Sequence, residues 1–181
     1  MADVRSAVVQ VKVGPDHVGA GTIWHGDGLV ITNAHVASRD QAMVVLADGI
    51  EIPARVLARD PKNDLAALMI EAGGLPTVPL GQSRQLRAGQ WVVAMGHPWG
   101  EVGAISAGIV IGTEAPYANG ASDRREWIML SLQLRPGHSG GPLLNDRGRL
   151  VGINTMLSGP SVGMAIPTHV VVDFLRSHLT I

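Results

Sequence analysis

Cysteine is absent from the 181 residues, and aromatic side chains are scarce, with one Phe, one Tyr and four Trp. The first absence excludes disulfides and thiolate metal sites and leaves the compartment open. The second leaves any core to Val, Ile, Leu, Ala and Met. Charge of either sign is lacking in excess: 14 basic and 15 acidic residues give a net charge of -1. With no basic run or aromatic-interleaved patch, nucleic acid is not expected as a partner. No apolar run is long enough to span a bilayer. No signal peptide is visible either, because Gln10 and Lys12 break the apolar stretch behind Arg5. The expectation is a cytoplasmic protein as written, or an extracytoplasmic one from which a leader has been removed. No His-Glu-x-x-His or paired-carboxylate motif occurs, so neither metal nor cofactor is expected.

What is present is 46% hydrophobic residues, punctuated by 23 Gly and 11 Pro spread along the chain. A chain of this length can bury a sizeable interior as one domain, and frequent turns favour many short strands. Ala7–Val13, Val18–Trp24, Leu29–Asn33, Met43–Leu46, Glu51–Ala58 and Leu65–Ile70 read as six strands, with turn signals at Asp27-Gly28 and Asp48-Gly49. A connector of about residues 73–90 carries Gly73-Gly74, Pro76 and Pro79. A second set follows: Trp91–Gly96, Ala104–Gly112, Trp127–Leu134, Pro142–Leu144, Leu150–Leu157 and Val162–Ile166, with a polar loop at Thr113–Glu126. Pro167-Thr168 then starts a helix of about residues 168–179, with Val170, Val171, Phe174, Leu175 and His178 on one face. Short strands at this spacing indicate barrels or sandwiches: an N-terminal set over about 7–72 and a C-terminal set over about 91–167 of a single domain.

The chemistry centres on Arg135-Pro136-Gly137-His138-Ser139-Gly140-Gly141-Pro142. Ser139 sits in a glycine turn that leaves its hydroxyl open, and the Gly137 and Ser139 amides can aim at one point, as an oxyanion requires. A serine hydroxyl needs a base, and the base needs an orienting group. His35, just after the third strand, and Asp64, at the mouth of the sixth, supply both types. They come from the first strand set and the serine from the second, which puts the site in a cleft between halves.

Thr32-Asn33-Ala34-His35-Val36, Asn63-Asp64-Leu65-Ala66 and Pro136-Gly137-His138-Ser139-Gly140-Gly141-Pro142-Leu143 resemble the three catalytic blocks of trypsin-like serine proteases, nearest the HtrA/Deg branch. Val93-Ala94-Met95-Gly96-His97-Pro98-Trp99-Gly100 and Gly163-Met164-Ala165-Ile166-Pro167 extend the resemblance over most of the chain. It implies an all-β fold of two packed six-stranded antiparallel barrels with a C-terminal helix, acting as a serine endopeptidase on unfolded or misfolded polypeptides. It further implies His35 as base, Asp64 as its orienter, Ser139 as nucleophile, and the Gly137 and Ser139 amides as oxyanion hole. By analogy, Leu134, Thr155, Met156 and Leu157 line the specificity pocket. None is a buried acid, so cleavage after small or medium apolar residues is expected.

This chain departs from the branch at several points. His138 stands where Asn is common, and its side chain is expected to point away from the cleft. The region around Pro15 is shortened, and the aromatic N-terminal trimer anchors are missing, so a monomer is favoured over the family's trimer. A peptide-binding PDZ domain does not follow the helix in this sequence. Gly137-His138-Ser139-Gly140-Gly141 also fits the Gly-x-Ser-x-Gly pattern of α/β-hydrolases, but Pro142 disfavours the helix which that fold needs after the serine. The remaining alternative is a protease-fold module that binds peptides and is silent, or inactive until its oxyanion hole forms.

Overall fold

The computed structural model describes residues 4–14, 17–113, 125–157 and 162–179. Six strands close the first barrel: β1 Val8–Val13, β2 His17–His25, β3 Leu29–Thr32, β4 Gln41–Val45, β5 Glu51–Asp60 and β6 Leu65–Ile70. The second barrel is closed by β7 Trp91–Gly96, β8 Ala104–Gly112, β9 Ile128–Leu130, β10 Pro142–Asn145, β11 Leu150–Leu157 and β12 Gly163–Pro167, and helix α1 spans Thr168–His178. Every strand pairing is antiparallel, in the circular orders β1-β2-β3-β6-β5-β4 and β10-β11-β12-β9-β8-β7. Among the described residues, closure leaves neither sheet a free edge strand. The all-β double barrel that the resemblance implied is the fold observed.

The two-residue period of a strand explains why β6 reads as one apolar run. Ala66, Leu68 and Ile70 point into the first barrel, whereas Leu65 and Ala67 point outward into a cluster shared with the second barrel. On β10, Leu143 faces the second barrel's interior and Leu144 faces that same shared cluster. Val171, Phe174 and Leu175 of α1 add to it, so three of the five stripe residues are buried, while Val170 is half-buried and His178 is exposed. A packed layer therefore fixes one barrel against the other.

The connector is tied to the second barrel by Gly81 N donating to Leu150 O at 2.7 Å and Leu150 N donating to Pro79 O at 2.8 Å. It also caps α1. Pro167 at the N-cap offers no side-chain acceptor, and Ser83 Oγ takes its place, accepting from His169 N at 3.2 Å and Thr168 Oγ1 at 2.9 Å.

One strand is shorter than the sequence suggested. Trp127–Leu134 gives a strand only over Ile128–Leu130. Ser131 N still donates to Ile109 O, but Leu132 and Leu134 then leave the sheet to fill the second barrel's core and feed the serine turn. Residues 114–124 of the polar loop lie outside the described residues, as does the segment at Pro15.

Candidate active site

Three segments meet where the barrels face each other: the end of β3, the turn before β6 and the turn before β10. Asp64 is the only non-glycine residue with positive φ among those described, at 55°. Aspartate tolerates this left-handed conformation better than most residues. Asn63, one position earlier, donates its N–H and its side-chain amide to Asp60 at 3.2 and 2.6 Å, closing the turn. Asn33 Nδ2 donates to Asp64 O at 3.0 Å, which ties this turn to the β3 end.

The Asp64 carboxylate grips His35 at two places. Oδ1 accepts the His35 backbone N–H at 3.0 Å, and Oδ2 lies 2.8 Å from His35 Nδ1. With its proton on Nδ1, the ring presents Nε2 as a base. Thr155 Oγ1 adds a third donor to Asp64 Oδ2, at 2.5 Å. Burial alone would raise the Asp64 pKa, but the hydrogen bonds from His35 and Thr155 outweigh it and hold the carboxyl below its ordinary range. The carboxylate therefore stays ionised at neutral pH. Nothing in the sequence marked Thr155 for this contact. Its β11 position suggested a pocket wall, while its hydroxyl is spent on the acid.

Ser139 is held from both barrels. Its carbonyl accepts from Ala20 N of β2 at 2.8 Å, and the next carbonyl, of Gly140, accepts from Thr22 Oγ1 at 3.1 Å. Gly140 N donates to Asn154 O at 2.9 Å, and Asn154 Nδ2 donates to Met95 O and Pro142 O at 3.2 and 3.0 Å, so buried Asn154 clamps the turn to β7 and β10. The Ser139 hydroxyl donates to Thr155 O at 2.6 Å, and no hydrogen bond joins it to His35. The histidine and the acid are thus fully assembled, and the serine faces Thr155 instead of the base.

Arg135-Pro136-Gly137-His138 forms a β-turn closed by His138 N donating to Arg135 O at 2.9 Å, with Gly137 at φ 101°. Proline followed by a positive-φ glycine is the type II pattern. A side chain at Gly137 would strike His97 O, and Gly137 O accepts from His97 N at 2.8 Å. Among the described residues, neither the Gly137 nor the Ser139 amide donates a hydrogen bond.

Leu134 is buried beside Gly163 as part of the second barrel's apolar cluster. Met156 and Leu157 lie on β11, and their side chains are outside what is described. Ser83 also forms a Ser–His–acid line, 2.8 Å from His169 Nδ1, with His169 Nε2 2.8 Å from Glu126 Oε2. Here the hydroxyl is buried and committed to the helix cap, so the line is structural. Among the described residues no cluster of three or more His, Cys, Asp or Glu could hold a metal ion, and no helix is long and apolar enough to cross a membrane.

A double barrel with a His–Asp pair on one half and a glycine-framed serine on the other defines the trypsin-like class. The chain belongs to the trypsin-like peptidase domain family, which it matches over residues 19–153. It is 42% identical over 163 residues to a probable periplasmic serine endoprotease DegP-like of Ectopseudomonas mendocina, covering 86% of this chain and 34% of that protein. It is 39% identical over 156 residues to the putative serine protease HhoA of Synechocystis, covering 82% and 40%. Among solved structures, the HtrA-type protease AlgW with a tripeptide superposes with a TM-score of 0.88 at 32% identity, over 98% of this chain and 61% of that one. The chain thus spans about a third of the length of the DegP-like relative.

Proposed function

We propose that this chain is a serine endopeptidase domain that cleaves polypeptides through an acyl-enzyme. The observation that carries the reading is the His35–Asp64 pair, fixed at two contacts of 2.8 and 3.0 Å, opposite a serine turn bolted to the same barrel by Ala20 N. A rotation about the Ser139 Cα–Cβ bond turns Oγ from Thr155 O toward His35 Nε2. His35 then takes the hydroxyl proton as Oγ bonds to the substrate carbonyl carbon. The oxyanion settles between the Gly137 and Ser139 amides, and His35 returns the proton to the departing amine. Water repeats the sequence on the ester, with His35 again as base. Asp64 keeps its charge throughout, holding the imidazole in one tautomer and stabilising its protonated form.

Apolar Leu134 beside Gly163 supports cleavage after small or medium apolar residues, with Met156, Leu157 and the Thr155 backbone completing the pocket. The resemblance to the HtrA/Deg branch carries unfolded or misfolded proteins as substrates and a role in protein quality control, and the periplasmic DegP-like relatives support an extracytoplasmic setting.

Digestion of an unfolded protein with the cut sites mapped by mass spectrometry tests this reading. Cuts after Ala, Val, Leu and similar residues, abolished in Ser139→Ala, are expected. Cuts mainly after Lys or Arg contradict the pocket assignment. Retained peptide binding without any cleavage would instead favour the silent binding module.

A further inference from the structure

Two buried histidines that the triad does not use enclose the turn carrying the two amides. His138, 1% exposed, lies between the amide donors in sequence, and its ring folds back inside the turn. Its Nδ1 is 3.2 Å from both the N and the O of Arg135, and its Nε2 is 3.4 Å from Ser106 Oγ on β8. His97, 3% exposed, follows β7 and presses on the turn from the other side, where its N–H donates to Gly137 O. Its Nδ1 accepts from Gly103 N at 3.2 Å, and its Nε2, toward the Val9 carbonyl, completes no hydrogen bond.

Proton placement matters here. In the neutral tautomer with hydrogen on Nε2, His138 accepts the Arg135 N–H and donates to Ser106 Oγ, leaving Arg135 O to the His138 backbone N–H that closes the turn. A second proton, on Nδ1, ends its acceptance of the Arg135 N–H and makes it a donor to Arg135 O at 3.2 Å, in competition with the His138 backbone N–H that closes the turn. Two neighbouring charges reinforce the effect, Arg135 beside His138 and each imidazole on the other, and the Arg5 side chain packs over Gly103 next to His97. No carboxylate among the described residues is bonded to either ring to offset the added charge.

We propose that His138, braced by His97, is the positioning residue of the oxyanion turn: its neutral imidazole holds the Gly137 and Ser139 amides in place, and its protonation releases them. The inference rests on the serine endopeptidase reading. Burial holds both imidazoles below their ordinary range, opposed by a backbone carbonyl at each ring. Near neutral pH the turn is therefore locked, and acid unlocks it separately from any protonation of His35.

The test uses labelled β-casein as substrate and a fluorophosphonate probe as the check on Ser139, with wild type, His138→Leu and His138→Asn. At pH 7.5, His138→Leu is expected to lower kcat about 100-fold, the size of losing one oxyanion donor, with KM within about twofold. His138→Asn, whose Oδ1 sits near the position of imidazole Nδ1 and can accept the Arg135 N–H, is expected to recover at least about tenfold of that loss. The acid limb of log kcat/KM should steepen beyond slope one in wild type and stay at slope one in His138→Asn. Equal kcat and identical limbs in all three proteins would overturn the inference while leaving the protease reading intact. Should His138→Leu not fold, the limb of His138→Asn decides: slope one supports the inference and wild-type steepness refutes it. A wild type that neither cleaves nor labels removes the protease reading, and this inference with it.

Discussion

Asp64 concentrates the chemistry of the site in one side chain. Its carboxylate satisfies the His35 amide, the His35 ring and the Thr155 hydroxyl together, and it does so from a left-handed backbone. Asp64→Asn keeps the shape but puts the wrong tautomer on His35. A fall of about 10⁴ in kcat is expected, with KM little changed, in steady-state cleavage of casein. His35, Asp64 and Ser139 were legible in the sequence because each sits beside local punctuation: a strand end, an Asn-Asp turn, a glycine frame. The Thr155 contact was not legible, since it depends on the second barrel bringing β11 under an acid 91 residues away. Nor was the direction of the Ser139 hydroxyl, which a side-chain rotation decides.

Among the elements, the serine turn is the most constrained. Gly140 has φ 88°, and a Cβ there would run into Ala20 O and Thr32 Oγ1, whereas Gly148, at φ 68°, has open space around it. Gly140→Ala should therefore cost about 2–4 kcal/mol, combining backbone strain with overpacking, and Gly148→Ala only about 1 kcal/mol. Urea unfolding of both variants measures the difference, and equal losses would show that the close approach to β2 is not limiting. The strands themselves were largely readable, because Gly and Asp-Gly turns bound the apolar runs. The reading overran at Leu134, where burial continues after Leu130 although the ladder has stopped. Leu132 and Leu134 are apolar because they fill a core, and composition alone cannot separate that from strand pairing.

At the scale of the whole molecule, two barrels share one apolar layer, and the site is built on the seam. Its stability should carry the same titrations as its chemistry. His97 and His138 have depressed pKa values, so the unfolded chain binds more protons as pH drops below the ordinary imidazole value of about 6.5. Their contribution is complete above that value and is lost as pH falls through the folded values. Asp64, also depressed, adds stability that is complete above about pH 4 and is lost only below it. The urea midpoint is thus expected to decline between pH 7 and pH 5 in wild type and to decline less in His138→Asn; a midpoint rising toward acid would contradict the sign. Two strand sets were visible in the sequence, but their closure into barrels was only implied by resemblance, since spacing alone allows sandwiches as well.

If Ser139, with His35 and the turn amides, forms a working acyl-transfer site, its hydroxyl is a reactive nucleophile. Reaction with a fluorophosphonate probe, with the adduct located by mass spectrometry, tests it most directly. One adduct is expected, on Ser139, absent in Ser139→Ala and slowed as pH falls through the histidine range from about 8 to 5. No adduct on a folded chain, or labelling at the same rate across that range, would contradict it.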